Sequence, residues 1–282
     1  MTEFALGGEL AVRLVFFFGV LAAMAAWEVV APRRALSQSK AVRWYGNLGI
    51  VALNALVARA VLPLAPVAVA GLAAERGWGV LNLVEVPAWL AVVVALVVLD
   101  FAIYLQHVLF HAVPALWRLH RMHHADLDFD VSTGLRFHTI EILLSALIKM
   151  AVVVVVGAPA LAVLAFEVVL NATSMFNHGN VRLPAALDGA LRWLVVTPDM
   201  HRVHHSIVAE ETNSNFGFSL PWWDRLLGTY RAQPAAGHQG MTIGIEMFRD
   251  PGALHLHRML VQPFQGGAGS YPINRASGPP AT

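Results

Sequence analysis

Four long apolar runs dominate the first 172 residues, at about 12–31, 47–72, 86–110 and 142–172. A hydrocarbon core of about 30 Å takes roughly 20 apolar residues of helix, so each of the first three runs predicts a transmembrane helix. The fourth is too long for a simple crossing and carries Gly157, Ala158 and Pro159 near its middle. Gly and Pro together favour a break, which predicts a helical hairpin, or two helices, entering and leaving by one face. The expected fold is all-α: a polytopic membrane helical bundle of about four transmembrane helices or hairpin segments, under a cytosolic histidine-rich helical cap. The apolar runs form one integrated unit, so a single domain is expected.

Polar positions inside these runs are few and periodic. Asp100, Tyr104, His107 and His111 are spaced 4, 3 and 4, as are Glu167, Asn171, Ser174 and His178. At 3.6 residues per turn each set forms one stripe on its helix. An ionisable side chain at the bilayer centre costs roughly 2.5–3.5 kcal/mol even on the lenient insertion scale, so Asp100 and Glu167 require partners.

The stripes lead into histidine clusters. "HRMHH" at 120–124 recurs as "HRVHH" at 201–205, and ten of the 13 histidines fall between 107 and 205. Chance is a poor explanation for two copies of such a pattern. Residues at i, i+3 and i+4 share a helix face, so each box can aim three imidazoles at one point, and His107 with His111 adds an i, i+4 pair. The chain contains no cysteine, which excludes disulfides, thiolate zinc sites, iron–sulfur clusters and thiolate-ligated haem. A metal must then be held by His, Asp or Glu, and imidazole suits zinc, copper, iron and nickel alike. Eight to ten converging ligands exceed what one ion uses, which points to two metals in one basin. Asp100 and Glu167 are spaced to accept the second ring N–H of ligating histidines, or else serve as interhelical hydrogen-bond partners. His138, in "RFHTIE", is a further ligand candidate that could equally bond Glu141; His238, His255 and His257 lie in a polar segment and are expected to be solvated.

Composition supports this picture. The chain of 282 residues is 57% hydrophobic and 13% charged, outside the usual range of soluble domains, and its net charge of +1 argues for no nucleic-acid partner. The first apolar run lacks a small-residue cleavage pattern and is followed by "PRR", so it reads as a retained helix rather than a signal peptide. The loop after it carries Arg33, Arg34, Lys40 and Arg43, against Arg76 alone in the next loop. The positive-inside rule makes the first loop cytoplasmic; the third helix and the hairpin then deliver all the histidine clusters to that face. Residues 206–262 read as a cap over the site, and the tail "QGGAGSYPINRASGPPAT" as disordered.

The ordered set His107-x3-His111, His120-x2-His123-His124 and His201-x2-His204-His205, with a membrane hairpin between the second and third boxes, resembles the fatty acid hydroxylase/sterol desaturase superfamily. The resemblance covers about residues 95–232 and includes "DFAIYLQHVLFH", "GLRFHTIE", "FNHGN" and "NSNFGFSLPWWDRLLGTYR". It divides the chain into N-terminal transmembrane helices (1–94), a catalytic region (95–232) and a C-terminal cytosolic segment (233–282). It implies an integral-membrane, O2-dependent diiron oxidoreductase acting on a lipid, fatty acyl or sterol. The metal ligands would be the eight box histidines with His178 as an additional one, and His138 matches a position shared by part of the family. Asp100, Glu167, Asn171 and Glu141 stand as supporting candidates. Val108 occupies a position where Arg is common in the first box.

The chain carries no flavin or nicotinamide fingerprint, so the two electrons that O2 activation needs must come from an external donor: a reductase, ferredoxin or cytochrome. Arg118, Arg121, Arg202, Arg225 and Arg231 could form its docking face or meet lipid headgroups and water. Hydroxylation is preferred because it requires one C–H cleavage; a lipid or sterol desaturase, or an ether-lipid monooxygenase, would use the same centre. Zinc could occupy the site on purification, because it outcompetes ferrous iron at nitrogen ligands. A metal transport or storage protein is the alternative of a different class, though transport sites lie near the midplane and accompany internal repeats.

Overall fold

The computed structural model describes residues 3–274, and every regular element longer than an isolated bridge among them is helical. α1 (Glu3–Val30) is followed by α2 (Lys40–Val61), α3 (Pro66–Glu75), a single turn α4 (Val80–Leu83), α5 (Ala88–Ala112), α6 (Pro114–His124), α7 (Thr139–Val156) and α8 (Ala160–Asn177). Short helices then form the cap: α9 (Ala185–Leu191), α10 (Pro198–His204), α11 (Ala209–Thr212), α12 (Trp222–Leu226), α13 (Gly237–Gly240) and α14 (Leu256–Val261). Among the described residues five stretches are long and apolar enough to cross a membrane: Gly8–Val30, Lys40–Leu83, Ala88–Ala112, Thr139–Val156 and Ala160–Asn177. The chain is a polytopic helical membrane protein.

The second apolar run does not form one helix. α2 ends at Val61 and α3 begins with Pro66 as its first residue, because Pro63 and Pro66 interrupt the backbone ladder. α2 starts seven residues earlier than the run's apolar edge, since its first turns, with Arg43 and Asn47, are buried against protein rather than lipid. The expected hairpin is present. α7 ends at Gly157, whose φ of +70° is the left-handed cap that glycine adopts freely, and α8 opens after Pro159. The turn packs so tightly that a Cβ on Gly157 would lie 2.9 Å from the Trp78 carbonyl oxygen.

The membrane core joins α3, α5, α7 and α8 through Ala70, Ala95, Leu99, Val153, Ala162, Val163 and Phe166, all nearly fully buried. Small residues at these positions let backbones approach closely, the usual means of association where lipid removes the hydrophobic drive. α1 packs on α8 through Leu21, Met24 and Met175 while Val15, Phe16 and Phe18 face outward. The C-terminal ends of α1, α5 and α8 and the N-terminal ends of α2 and α7 converge on one face. Glu28 there accepts from the Val131 and Asn180 amides at 2.6 and 2.9 Å. Arg43, counted above as a loop cation, is fully buried and paired with Asp126 at 2.7 Å and Asp130 at 2.5 Å. It pins the loop after α6 instead of marking a membrane surface.

The tail also departs from expectation. Residues 265–274 are packed over the converging face: Tyr271 stacks on Trp117 with ring centroids 5.4 Å apart, and the Trp117 indole donates to the Ala268 carbonyl at 3.0 Å. A buried arginine supplies the anchor, because the Arg121 guanidinium donates to the carbonyls of Gln262, Gln265 and Gly267. The remaining tail residues, 275–282, lie outside the described residues.

Candidate metal centre

Nine histidines meet where these helix ends converge. They sort into a group of five, His107, His111, His120, His124 and His204, and a group of four, His123, His178, His201 and His205, each with its donor atoms within 4.8 Å of one another. The sorting differs from three imidazoles of a box sharing one target. In each box the first and last members, at i and i+4, join one group while the middle member at i+3 joins the other. His120 and His124 belong to the five and His123 to the four; for His201, His204 and His205 the assignment is reversed. The boxes are therefore crossed, and each spans both groups. Residues at i+3 and i+4 lie about 100° apart around a helix, enough to face two neighbouring points.

The outer ring nitrogens fix the proton positions. His107 Nδ1 donates to the Phe216 carbonyl at 2.8 Å, His204 Nδ1 to the Ser214 carbonyl at 2.7 Å and His178 Nδ1 to the Ser174 carbonyl at 2.8 Å. His123 Nδ1 donates to the Arg136 carbonyl at 3.1 Å and His120 Nδ1 to Glu141 Oε1 at 2.6 Å. His111 Nδ1 donates to Asn213 Oδ1 at 3.1 Å; the Asn213 amide is oriented by its own donation to the Tyr271 carbonyl at 2.7 Å. Carbonyls and carboxylates only accept, so these six imidazoles carry their proton on Nδ1 and present a bare lone pair on Nε2.

Those lone pairs face one another. The Nε2 atoms of His107 and His120 are 3.1 Å apart, and His178 Nε2 is 3.2 Å from His123 Nε2, 3.2 Å from His205 Nε2 and 3.1 Å from His201 Nε2. His111 Nε2, His124 Nε2 and His204 Nε2 are buried without a hydrogen-bond partner among the described residues. Protonation does not resolve the conflict, since burial drives His178 down to about 3 and holds His123, His124, His201, His204 and His205 well below the usual imidazole range. Donors on one ion at metal–nitrogen distances of about 2.0–2.1 Å stand roughly 2.8–3.4 Å apart, from octahedral to tetrahedral edges. The observed separations match, and the nine residues fit two metal ions.

The structure separates the remaining candidates. Glu141 supports a ligand directly through His120. Asp100 supports none: it accepts from the Trp223 indole at 2.8 Å and the Leu220 amide at 3.4 Å, while Tyr104 meets Thr229 at 3.0 Å. The first half of that helix stripe clamps the cap, and only its second half, His107 and His111, reaches the centre. Glu167 pairs instead with Arg13 at 2.5 Å and with Lys149, three turns from His178. Asn171 donates to the Glu167 carbonyl at 2.8 Å and lines a cavity. His138 caps α7, its Nδ1 accepting from the Ile140 amide at 3.2 Å and its Nε2 donating to the Leu260 carbonyl at 3.2 Å. Both nitrogens are engaged, and it belongs to neither histidine group.

Two other expectations change. Arg121 and Arg202 are fully buried, the latter bonded to Asp199 and the Gly179 carbonyl, so neither belongs to a docking face; Arg118, Arg225 and Arg231 are half-buried. His238 is buried beside Asp199 at 3.6 Å rather than solvated, whereas His255 and His257 are exposed.

Sequence reasoning missed the residues that aim the rings. Segment 213–216 holds three of the five-group ligands, two through backbone carbonyls, which carry no residue-type signal. Asp224 fixes this segment by accepting from the Phe216 and Gly217 amides at 2.7 and 2.8 Å, and its burial raises its pKa to about 6. Arg136 is the equivalent support for His123, held by Asn47 at 3.1 Å.

A cavity of about 290 Å³ opens from His107 and His120 into the membrane bundle, walled by Ile103, Phe110, Phe137, Ile142 and Phe218 among others. The cavity thus begins at two members of the five-histidine group, which could hold a metal ion.

Comparison with known proteins agrees with this chemistry. The fatty acid hydroxylase family model matches residues 92–229. The chain is 36% identical over 149 residues to the ornithine lipid hydroxylase OlsE of Rhizobium tropici, covering 52% of this chain and 44% of that protein. It is 28% identical over 154 residues to the alkylglycerol monooxygenase of Xenopus tropicalis, covering 53% and 32%, and 27% identical over 146 residues to the cholesterol 25-hydroxylase of Rattus norvegicus, covering 51% and 47%. The chain thus spans less than half the length of each of these relatives. No solved structure matches it.

Proposed function

We propose that the chain, whose residues 92–229 match the fatty acid hydroxylase family model and resemble curated lipid hydroxylases, is an integral-membrane, O2-dependent oxidoreductase that hydroxylates a lipid C–H bond. The observation that carries this reading is the pairing of nine inward-facing imidazoles with an apolar membrane cavity that begins at two of them. The five- and four-histidine groups would each hold one iron, and two such ions would supply the reductive use of O2 against an unactivated C–H bond.

The protein's own residues do the rest. Ile103, Phe137, Ile142 and Phe218 hold an alkyl chain against His107 and His120 and keep water out. Phe216, Ser214, Ser174 and Arg136 carbonyls, with Asn213 and Glu141, keep Nδ1 protonated and the rings fixed. Electrons come from a separate reductase, ferredoxin or cytochrome. The histidine face is assigned to the cytoplasm, which the positive charge of Arg33, Arg34 and Lys40 beside it supports.

An ether-lipid monooxygenase is the second reading, favoured by the similarity to alkylglycerol monooxygenases; oxidation beside the ether oxygen would use the same cavity and centre. The test is anaerobic purification with iron, metal quantification, and O2 uptake with a chemical or protein reductant on membrane lipid extracts, with products identified by mass spectrometry. Two irons per chain, lipid-stimulated O2 uptake and an alcohol product are expected; an aldehyde released from an ether lipid selects the second reading. Metal flux in vesicles with no O2 chemistry overturns both.

A further inference from the structure

The 290 Å³ cavity has two polar ends. One is formed by His107, His120 and Glu141; the other is Lys149, on the same helix as Glu141 and eight residues further into the membrane. At 1.5 Å per residue the separation is about 12 Å. Between them the walls are mainly apolar, with Asn54, Asn171, Ser174 and Gln106, whose amide donates to Ser145 at 2.6 Å, as the neutral polar groups. Behind Lys149 a second cavity of about 170 Å³ adjoins at Phe17 and Asn171 and is lined by Arg13 and Glu167.

Arg13 and Lys149 share the single carboxylate of Glu167, which leaves this three-residue cluster with one net positive charge. Arg13 Nη2 is buried with no acceptor among the described residues, and the Lys149 ammonium has more protons than its one carboxylate partner uses. A charge at this depth requires a counter-charge. A lipid entering with its head at the histidine face would press its terminal methyl group against that cation. An amphiphile in the opposite orientation satisfies both ends.

We propose that Lys149, backed by the Glu167–Arg13 pair, forms an anion subsite that takes the terminal carboxylate of a single-chain acyl substrate and presents a carbon about ten bonds away to the histidine centre. The chain length follows from 12 Å at roughly 1.2 Å per bond, the rise of an extended chain. The volume agrees: a cavity of about 150 Å³ accommodates benzene, so about twice that admits one chain of roughly twelve carbons and not a two-chain lipid. Assigning this cavity to substrate rests on the proposed function.

The test is equilibrium binding to the full chain in zwitterionic nanodiscs, without turnover, using dodecanoate, dodecanol and a two-chain phosphatidylcholine as competitors of a fluorescent fatty acid. Dodecanoate is expected to bind about tenfold more tightly than dodecanol, the scale of one charge-assisted contact. Lys149→Gln should remove that preference while leaving dodecanol affinity unchanged. Glu167→Gln, which raises the local charge, should increase dodecanoate affinity, a gain that a damaged fold does not produce. Equal binding of acid and alcohol to the unaltered chain, equal weakening of both by Lys149→Gln, no gain in Glu167→Gln, or preferential binding of phosphatidylcholine would each overturn the subsite. Binding without lipid oxidation would instead overturn the proposed activity and leave the subsite standing.

Discussion

Replacing Glu141 by Gln isolates one support of one histidine group. Glu141 Oε1 lies 2.6 Å from His120 Nδ1, and both residues are buried, with 4% and 2% of their surface exposed. Glu141 is the third residue of α7, where Gln is as acceptable as Glu, so the helix should form normally and the shape of the site is kept. What is lost is the negative charge that makes His120 a stronger donor to metal. Such supporting groups are worth about 10–100-fold in metal affinity, or about 1.4–2.8 kcal/mol at 1.4 kcal/mol per tenfold. His120 belongs to the five-histidine group alone, so the loss should fall on one metal equivalent. The assay is anaerobic titration with a competing chelator, followed by metal quantification per chain. One equivalent should leave at 10–100-fold lower chelator concentration while the other is retained as in the unaltered protein. Unchanged retention of both, or equal loss of both, would refute the argument that the crossed boxes build two separable positions.

Three other outcomes are expected. Gly134→Ala should disturb the four-histidine group, because the added Cβ would lie 2.5 Å from the Ser174 carbonyl oxygen and 3.1 Å from His178 Nδ1; a stability loss of about 1–3 kcal/mol and selective loss of one metal are measurable by thermal unfolding and metal content. Truncation before Gln265 should cost about 3–5 kcal/mol, the usual result of stranding a buried charge. It removes two carbonyl acceptors of Arg121 and the Tyr271 carbonyl that orients Asn213 under His111; a truncated chain with unaltered melting and metal content would contradict this. The metal-free protein should lose stability in acid. His178 is held at about 3 and His238 at about 4 by burial, against about 6.5 unfolded. Unfolded chains therefore bind more protons between these values, so stability is full above pH 6.5 and falls as pH drops towards 4 and 3; a flat denaturation midpoint from pH 8 to 5 would refute it.

Much of this protein is legible in its sequence. Runs of apolar residues long enough to span a bilayer have few structural options, because only helices satisfy their backbone internally in lipid. The break at Gly157–Pro159 and the identity of the histidines as a metal-seeking set follow from local rules of the same kind. Three single runs and one hairpin account for the five apolar stretches; only the division of the run at 47–72 into α2 and α3 by Pro63 and Pro66 was outweighed by hydropathy.

The tertiary structure decided which histidine serves which position. Box spacing permits three imidazoles per target, yet the placement of α6 and α10 around the centre divides each box between two groups. It also decided partners. Asp100 and Glu167 occupy equivalent places in two matching stripes, but one clamps the cap and the other neutralises part of an intramembrane cation pair, because their distances from the converging helix ends exclude contact with any ring. Most of the groups that do fix the rings are backbone carbonyls on segments brought together by long-range packing. A carbonyl is the same in every residue, so only the fold can say where it points.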